Sequence, residues 1–322
     1  MNEFKVVITD CDHENIDIER EVLSKNGISF ELLECKTEED LIRECKGVNG
    51  FINQYAPITE RVLKELPDLK FVVRYGVGVN NVDLNAATKY GVQICNVPDY
   101  GMNEVADQAL AMMLALTRKI VLMNEFTRKE KWDYQRSIPI YRHSCQTVGI
   151  VGVGRIGTSF AKKVHALGCK VVAYDPYYPN KKHAAPDFIE FLSLEDVLKT
   201  SDVVSIHCPS DHAINLIGEA ELKSMKESAY LVNVSRGGII DEKALDKALS
   251  EKWIAGAALD VVLEEPLALD SPLFKHENFI CTPHMAWYSE EAALELKRKV
   301  AEETARFAKG EEIHYPVNKL KL

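Results

Sequence analysis

The sequence has no uninterrupted run of about 18 apolar residues, so no segment is expected to cross a membrane as a helix. Its eight cysteines (Cys11, Cys35, Cys45, Cys95, Cys145, Cys169, Cys208, Cys281) include no Cys-x-x-Cys pair and no zinc-like cluster. Reduced, mostly buried thiols are expected, and no metal site. Positive charge is in short supply: 39 Lys and Arg face 49 Asp and Glu, a net charge of −10. Such a surface repels phosphate backbones, so nucleic acid is not an expected partner, nor is an anionic membrane. The opening "MNEFKVVITD" lacks a basic start followed by a long apolar stretch and reads as a first strand rather than a leader; a cytoplasmic location is the expectation. No repeat or low-complexity tract competes with a globular reading.

What is present is an average globular composition, 46% hydrophobic and 27% charged, over 322 residues. That length accommodates two domains, each with its own core. Short apolar runs, "FKVVIT", "ISFELL", "GFIN", "LKFVVR" and "VQICNV", alternate with polar, helix-like stretches. This alternation is the mark of a parallel sheet covered by helices. After a break at Pro98 and Gly101, "NEVADQALAMMLALTRKIVLMNEF" predicts one long helix from about residue 103. The alternation then restarts with six further strand candidates: "TVGIVG", "KVVAYD", "DVVSIHC", "AYLVNVS", "IAGAALDV" and "NFICTP". The last stretch, "SEEAALELKRKVAEETARFAKGEE", predicts one amphipathic helix with Glu and Lys at helical spacing.

The second series opens on a glycine loop. In "TVGIVGVGRIGTSFAKKVHALGCKVVAYDP", Gly152, Gly154 and Gly157 follow a strand and precede a helix. The first glycine permits a tight turn, the second lets backbone approach a pyrophosphate, and the third lets the helix lie close. Free N–H groups at the helix start suit an anion. Asp175 ends the next strand, where a carboxylate accepts the ribose hydroxyls of an adenosine and repels a 2′-phosphate; no Arg or Lys follows before Lys181. NAD is therefore expected over NADP. A second glycine pair, Gly76 and Gly78 in "RYGVGVNNVD", has Asn81 in place of a third glycine, which disfavours a pyrophosphate there. Exposed amides beside Arg74 suit a small carboxylate instead.

Together, "GVGVNNVDL", "GIVGVGRIG", "LVNVSRGGIIDEKAL", "AALDVVLEEP" and "TPHMAW" resemble the D-isomer-specific 2-hydroxyacid dehydrogenases, in that family's order and roughly its spacing. "CNVPDYGMNEVAD", "AYDPYYP" and "TPHMAWYSEEA" are most similar to the branch containing the C-terminal-binding-protein dehydrogenases and phosphoglycerate-dehydrogenase-like proteins. The resemblance implies an α/β fold of two Rossmann-like or flavodoxin-like domains with parallel sheets and a cleft between them. Residues 1–98 with 289–322 would form the substrate domain, and residues 99–288 the NAD domain. It also implies a homodimer held mainly by the NAD domain, including the long helix after residue 102.

Oxidising a 2-hydroxy acid needs a base for the hydroxyl proton, a cation for the carboxylate and carbonyl oxygen, and a nicotinamide to receive hydride. By resemblance His284 is the base, and the acid in the reducing direction. Glu265 is the residue that fixes its tautomer, and Arg236 the cation. The resemblance further implies that Asp260 meets the nicotinamide amide and that Trp287 walls the substrate pocket. Arg155 and Ile156 would contact pyrophosphate, Cys208 and Pro209 would lie along the adenosine, and Asn215 would join the cofactor contacts. Arg74, Val77 and Gly78 would hold the substrate carboxylate, with Asn53 and Gln54 lining the pocket. The implied substrate is a small 2-keto or 2-hydroxy acid: a medium-sized 2-keto acid ahead of glyoxylate or hydroxypyruvate, with a phosphorylated acid disfavoured. An NAD(H)-gated, corepressor-like interaction protein is the rival from another class, because those proteins keep the same His, Glu and Arg.

Overall fold

The computed structural model describes residues 4–129, 132–178, 185–210 and 213–320. Two compact units emerge, Met1–Gly101 with Ser289–Leu322, and Met102–Tyr288. The first begins with β1 (Val6–Ile8), α1 (Asp17–Lys25), β2 (Phe30–Leu32), α2 (Glu38–Glu44), β3 (Gly50–Asn53), α3 (Glu60–Glu65), β4 (Phe71–Arg74), α4 (Leu84–Lys89) and β5 (Gln93–Cys95). All five expected strands form, and every pair is parallel, in the order β2-β1-β3-β4-β5. Strands β1, β3 and β5 are buried along their whole length, which is why they read as unbroken apolar runs rather than alternating ones.

The second unit opens with α5 (Met102–Thr117) and α6 (Ile120–Arg128). The sequence predicts one helix here; the structure makes two, because Lys119 turns into the left-handed region at φ 54°. Helix α5 buries Ala106, Ala109, Met112, Met113 and Leu116, an i, i+3, i+4 stripe, whereas α6 buries none of its residues. The Rossmann-like body follows: β6 (Thr147–Val151), α7 (Arg155–Ala166), β7 (Lys170–Tyr174), β8 (Ile189–Phe191), α8 (Leu194–Thr200), β9 (Val203–Ile206), α9 (Glu219–Ser224), β10 (Tyr230–Asn233), α10 (Glu242–Ser250), β11 (Gly256–Leu259) and β12 (Phe279–Cys281). The sheet is parallel with order β12-β11-β10-β9-β6-β7-β8. Strand β8 is the seventh strand, one more than the sequence predicts; three residues at a sheet edge carry too short a pattern to be recognised.

The strand order reverses between β6 and β9, so the crevice beyond their carboxyl ends is the switch point at which open α/β sheets take ligands. Helix α11 (Glu290–Lys309) belongs to the first unit. Ser289 caps it by accepting the Ala292 amide, Gly310 ends it at φ 70°, and Phe307 stacks on Phe71 at 4.6 Å. Among the described residues no helix is long and apolar enough to cross a membrane.

Candidate active site

The glycine loop leaves β6 at the switch point, and each glycine has a different physical reason. Gly152 has φ 97°, and a Cβ there would lie 2.8 Å from the Cys208 amide nitrogen; the loop therefore rests directly on the backbone that follows β9. A Cβ on Gly157 would lie 2.1 Å from the Gly152 carbonyl oxygen, so the first turn of α7 can close on the loop only without a side chain. Gly154 meets nothing within 4 Å. The protein itself does not demand a glycine there, and the space at the α7 N-terminus, beside Arg155 and Ile156, is left open.

Asp175, at the end of β7, is buried and anchors the same loop: Oδ2 accepts the Val153 amide at 2.8 Å and Oδ1 the Tyr177 amide at 3.0 Å. Its carboxylate is thereby fixed at the end of β7, beside the glycine loop. Lys181, the next cation in sequence, lies outside the described residues. Cys208 and Pro209 follow β9 beside Gly152; burial, with a push from Asp175, raises the Cys208 thiol to about 11 and keeps it protonated at neutral pH. Asn215, with φ 53°, is tied through its amide to the Gly238 carbonyl at 2.8 Å, beside the turn that carries Arg236.

That turn leaves β10. Asn233 donates to the Arg236 carbonyl at 2.9 Å and accepts the Ser235 amide and hydroxyl, each at 3.0 Å; Arg236 Nη1 donates to the Ser235 carbonyl at 2.7 Å. A Cβ on Gly237 would meet the Val262 carbonyl oxygen at 1.9 Å. The missing side chain lets the Arg236 turn pack on the loop that carries Glu265.

His284 sits at φ 51°, a left-handed conformation rare for histidine, in a turn held by its own amide donating to the Asp260 carbonyl at 2.8 Å. Its Nδ1 is 2.7 Å from Glu265 Oε2, while Glu265 Oε1 accepts the Val262 amide at 3.2 Å. Nε2 has no partner among the described residues, and the imidazole is half exposed. Burial raises the Glu265 carboxyl, but the His284 hydrogen bond and charge, the Val262 amide and the Arg236 guanidinium outweigh it and bring the group below the ordinary glutamate value. A carboxylate kept ionised against Nδ1 holds the proton there and presents Nε2 as the exchangeable nitrogen.

Asp260 does more than its sequence position suggested. It is 2% exposed; Oδ1 accepts the Thr282 hydroxyl at 2.5 Å and the Met285 amide at 3.0 Å, and Oδ2 the Ala286 amide at 2.9 Å. The carboxylate organises the His284 turn. Thr282, which sequence reasoning missed, also accepts from Gln108 of α5 at 3.2 Å; neither residue stands out by motif. Trp287 is half-buried and meets Tyr288 edge-on at 5.4 Å.

In the first unit, Arg74 donates from Nε to the Gln54 carbonyl at 3.2 Å and from Nη1 to the Gly78 carbonyl at 2.7 Å, shaping the Gly76–Gly78 turn; Val77 is 41% exposed. Asn53 and Gln54 are both bonded to polar groups of the first unit itself. Asn53 is fully buried, its amide bonded to Thr9, Asp10 and Ala56, and Asn81 donates to its carbonyl at 2.8 Å. Gln54 bonds Asp12 through both ends of its amide. The polar side chains at the end of β3 thus tie it to the end of β1.

The profile of the family described as "D-isomer specific 2-hydroxyacid dehydrogenase, NAD binding domain" matches residues 110–286. The chain is 35% identical over 298 residues to a D-3-phosphoglycerate dehydrogenase of Archaeoglobus fulgidus, covering 92% of this chain and 56% of the relative, so it spans little more than half of that protein's length. It is 40% identical over 267 residues to a glyoxylate reductase of Thermococcus litoralis, covering 79% of this chain and 80% of the relative. A D-lactate dehydrogenase from Aquifex aeolicus, solved with NAD and lactic acid, superposes with a TM-score of 0.85 at 26% identity over 95% of this chain and 96% of that one. With the glycine loop, the fixed aspartate and the histidine–glutamate pair in place, the chain belongs to the D-isomer-specific 2-hydroxyacid dehydrogenases, whose cofactor is a nicotinamide dinucleotide.

Proposed function

We propose that this chain interconverts a small D-2-hydroxy acid and its 2-keto acid with NAD(H), using His284, Glu265 and Arg236. The observation that carries the reading is the 2.7 Å contact between His284 Nδ1 and Glu265 with Nε2 left open. In the reducing direction Nε2 donates its proton to the substrate's carbonyl oxygen; in the oxidising direction the same nitrogen takes the hydroxyl proton. Glu265 holds Nδ1–H throughout and stabilises the imidazolium form. Arg236 offers a planar, permanently charged fork to the carboxylate and carbonyl oxygen. Arg155, Ile156 and the loop glycines would hold pyrophosphate, Asp175 the adenosine ribose, and Cys208, Pro209 and Asn215 would flank the dinucleotide. When bound there, NADH would supply the hydride for the keto carbon. Arg74, Val77 and Gly78 are proposed for the carboxylate and Trp287 for the substrate's tail.

An aromatic wall at Trp287 favours a medium-sized apolar tail, and the glyoxylate reductases among the relatives make glyoxylate the next substrate to try. A cytoplasmic homodimer completes the reading. All eight cysteines are free thiols. Ile120, Val121, Trp132, Tyr134, Ile138 and Tyr141 stand exposed along one stretch of the second unit, Trp132 at 93%, an apolar surface that a second copy would cover. The test is a panel of 4-methylthio-2-oxobutyrate, hydroxypyruvate, glyoxylate and phosphohydroxypyruvate with NADH, followed at the nicotinamide absorbance. Turnover of at least one unphosphorylated acid is expected; no NADH oxidation with any of them overturns the reading.

A further inference from the structure

In the first unit the strand order β2-β1-β3-β4-β5 reverses between β1 and β3, so the space beyond the carboxyl ends of those two strands is that sheet's own switch point. Asp10, just past β1, is buried there. It accepts the backbone amides of Gln54, Tyr55 and Ala56, just past β3, together with the Asn53 side-chain amide, and so locks the two strand ends to each other. Asp12 stands on this base. Gln54 Nε2 donates to its Oδ1 at 2.5 Å, the Tyr55 hydroxyl donates to its Oδ2 at 2.8 Å, and its own amide donates to Gln54 Oε1 at 2.9 Å. Arg74, at the end of β4, is joined to the same residue through the 3.2 Å bond from its Nε to the Gln54 carbonyl.

These bonds hold a carboxylate in place without burying or neutralising it. The Asp12 side chain is 58% exposed, and among the described residues no Lys or Arg lies within ion-pair distance of it. His13 Nδ1 is 3.9 Å away, but burial and the neighbouring Lys297 charge hold that imidazole below the ordinary histidine range, so it is neutral at neutral pH. Two uncharged donors leave the negative charge whole while stopping it from swinging away. Arg74 and Asp12 thus set charges of opposite sign on one platform of strand ends, with Gln54 between them.

We propose that Asp12 is a specificity residue of the 2-keto acid site: it rejects acids whose tail carries a second negative charge, a phosphate or a distal carboxylate, and admits those whose tail is uncharged. This rests on the reading above, in which Arg74 takes the substrate's own carboxylate. Tyr55 and Gln54 position the Asp12 charge. Repulsion of this kind discriminates without any contact to the favoured substrate. Two like charges a few ångströms apart in a partly hydrated site oppose each other by about tenfold or more in binding.

The test is kcat/KM with NADH for two matched pairs: 2-oxopentanoate against 2-oxoglutarate, which differ at the distal carbon, and hydroxypyruvate against phosphohydroxypyruvate. The parent should favour the singly charged member of each pair by about tenfold or more. Asp12→Asn and Asp12→Ser, which keep a polar group for Gln54 and Tyr55, should each narrow that preference by about tenfold, chiefly through KM for the doubly charged acid. Glu31→Gln makes the same change in net charge on the exposed face of the edge strand β2 and should leave the preference as in the parent. A parent that takes the doubly charged acids as readily, an undiminished preference in both Asp12 variants, or an equal narrowing by Glu31→Gln overturns the proposal. No NADH oxidation by the parent with any of the four acids would remove the activity itself, and the role of Asp12 with it.

Discussion

Gly154 and Gly157, three residues apart in one loop, should respond oppositely to the same added methyl group. At Gly157 the new Cβ falls 2.1 Å from the Gly152 carbonyl oxygen, more than 1 Å inside ordinary contact, against backbone that cannot swing aside. Forcing α7 away from the loop costs about 1–3 kcal/mol as overpacking, from which the better helix propensity of alanine recovers at most about 1 kcal/mol. At Gly154 the Cβ enters open space, and φ −87° suits an L-residue. The weaker helix cap that alanine makes and the reduced entropy of the unfolded chain nearly cancel, so stability should change by less than about 0.5 kcal/mol. The methyl nevertheless occupies the space assigned to pyrophosphate. Gly154→Ala should therefore keep its urea midpoint and lose NADH affinity by about tenfold or more, roughly 1.4 kcal/mol, in a fluorescence titration. Gly157→Ala should lose both. A Gly154→Ala protein that binds NADH as the parent does would show that the dinucleotide does not use this space, and a Gly157→Ala protein of undiminished stability would refute the packing argument.

His284→Gln should cut kcat by about 10²–10⁴ with little effect on NADH affinity, and Glu265→Gln should cut it less, by about 10²; steady-state kinetics against direct NADH titration separates the two quantities. Asp175→Asn keeps a group able to accept the Val153 amide while removing the charge, so the ratio of kcat/KM for NADPH to that for NADH should rise by about tenfold; an unchanged ratio removes Asp175 from cofactor choice. Burial drives His207 from 6.5 down to about 3, with Ser205 at 2.9 Å from Nε2 and Nδ1 sealed without a partner. The unfolded chain then binds a proton below pH 6.5 that the folded one refuses, so the stability His207 contributes is complete above pH 6.5 and falls by up to about 1.4 kcal/mol per pH unit on acidification toward pH 3. His207→Asn should flatten that slope in urea titrations between pH 4 and 7, and an equally steep slope would place the proton elsewhere.

Most of the sheet architecture was legible because parallel strands buried on both faces leave unbroken apolar runs, and because the glycine loop marks where the second series begins. The misses share a cause. Strand β8 is three residues at an edge, where burial imposes little pattern. The break between α5 and α6 is a backbone conformation at Lys119 that neither glycine nor proline announces. Asn53 and Gln54, polar side chains near a turn, read as pocket lining, yet their partners are Asp10 and Asp12, more than 40 residues earlier, and nothing local reveals such a pairing.

The same limit explains Asp260. Its position after β11 marks an acid near the crevice, but the groups it satisfies are the backbone amides of Met285 and Ala286 and the hydroxyl of Thr282, more than 20 residues downstream. Those bonds bear on His284 directly. A histidine at φ 51° carries strain on the order of 1–3 kcal/mol, which persists only where the surroundings over-determine it, and three hydrogen bonds donated to one buried carboxylate by Thr282, Met285 and Ala286 hold this turn. Removing Asp260 should therefore act through the imidazole's placement. Asp260→Ala is expected to lower kcat and the thermal midpoint together, whereas Glu265→Gln lowers kcat alone. An Asp260→Ala protein that lost NADH affinity while keeping its midpoint and its kcat at saturating NADH would return this carboxylate to the cofactor and leave the strained turn to be held by something else.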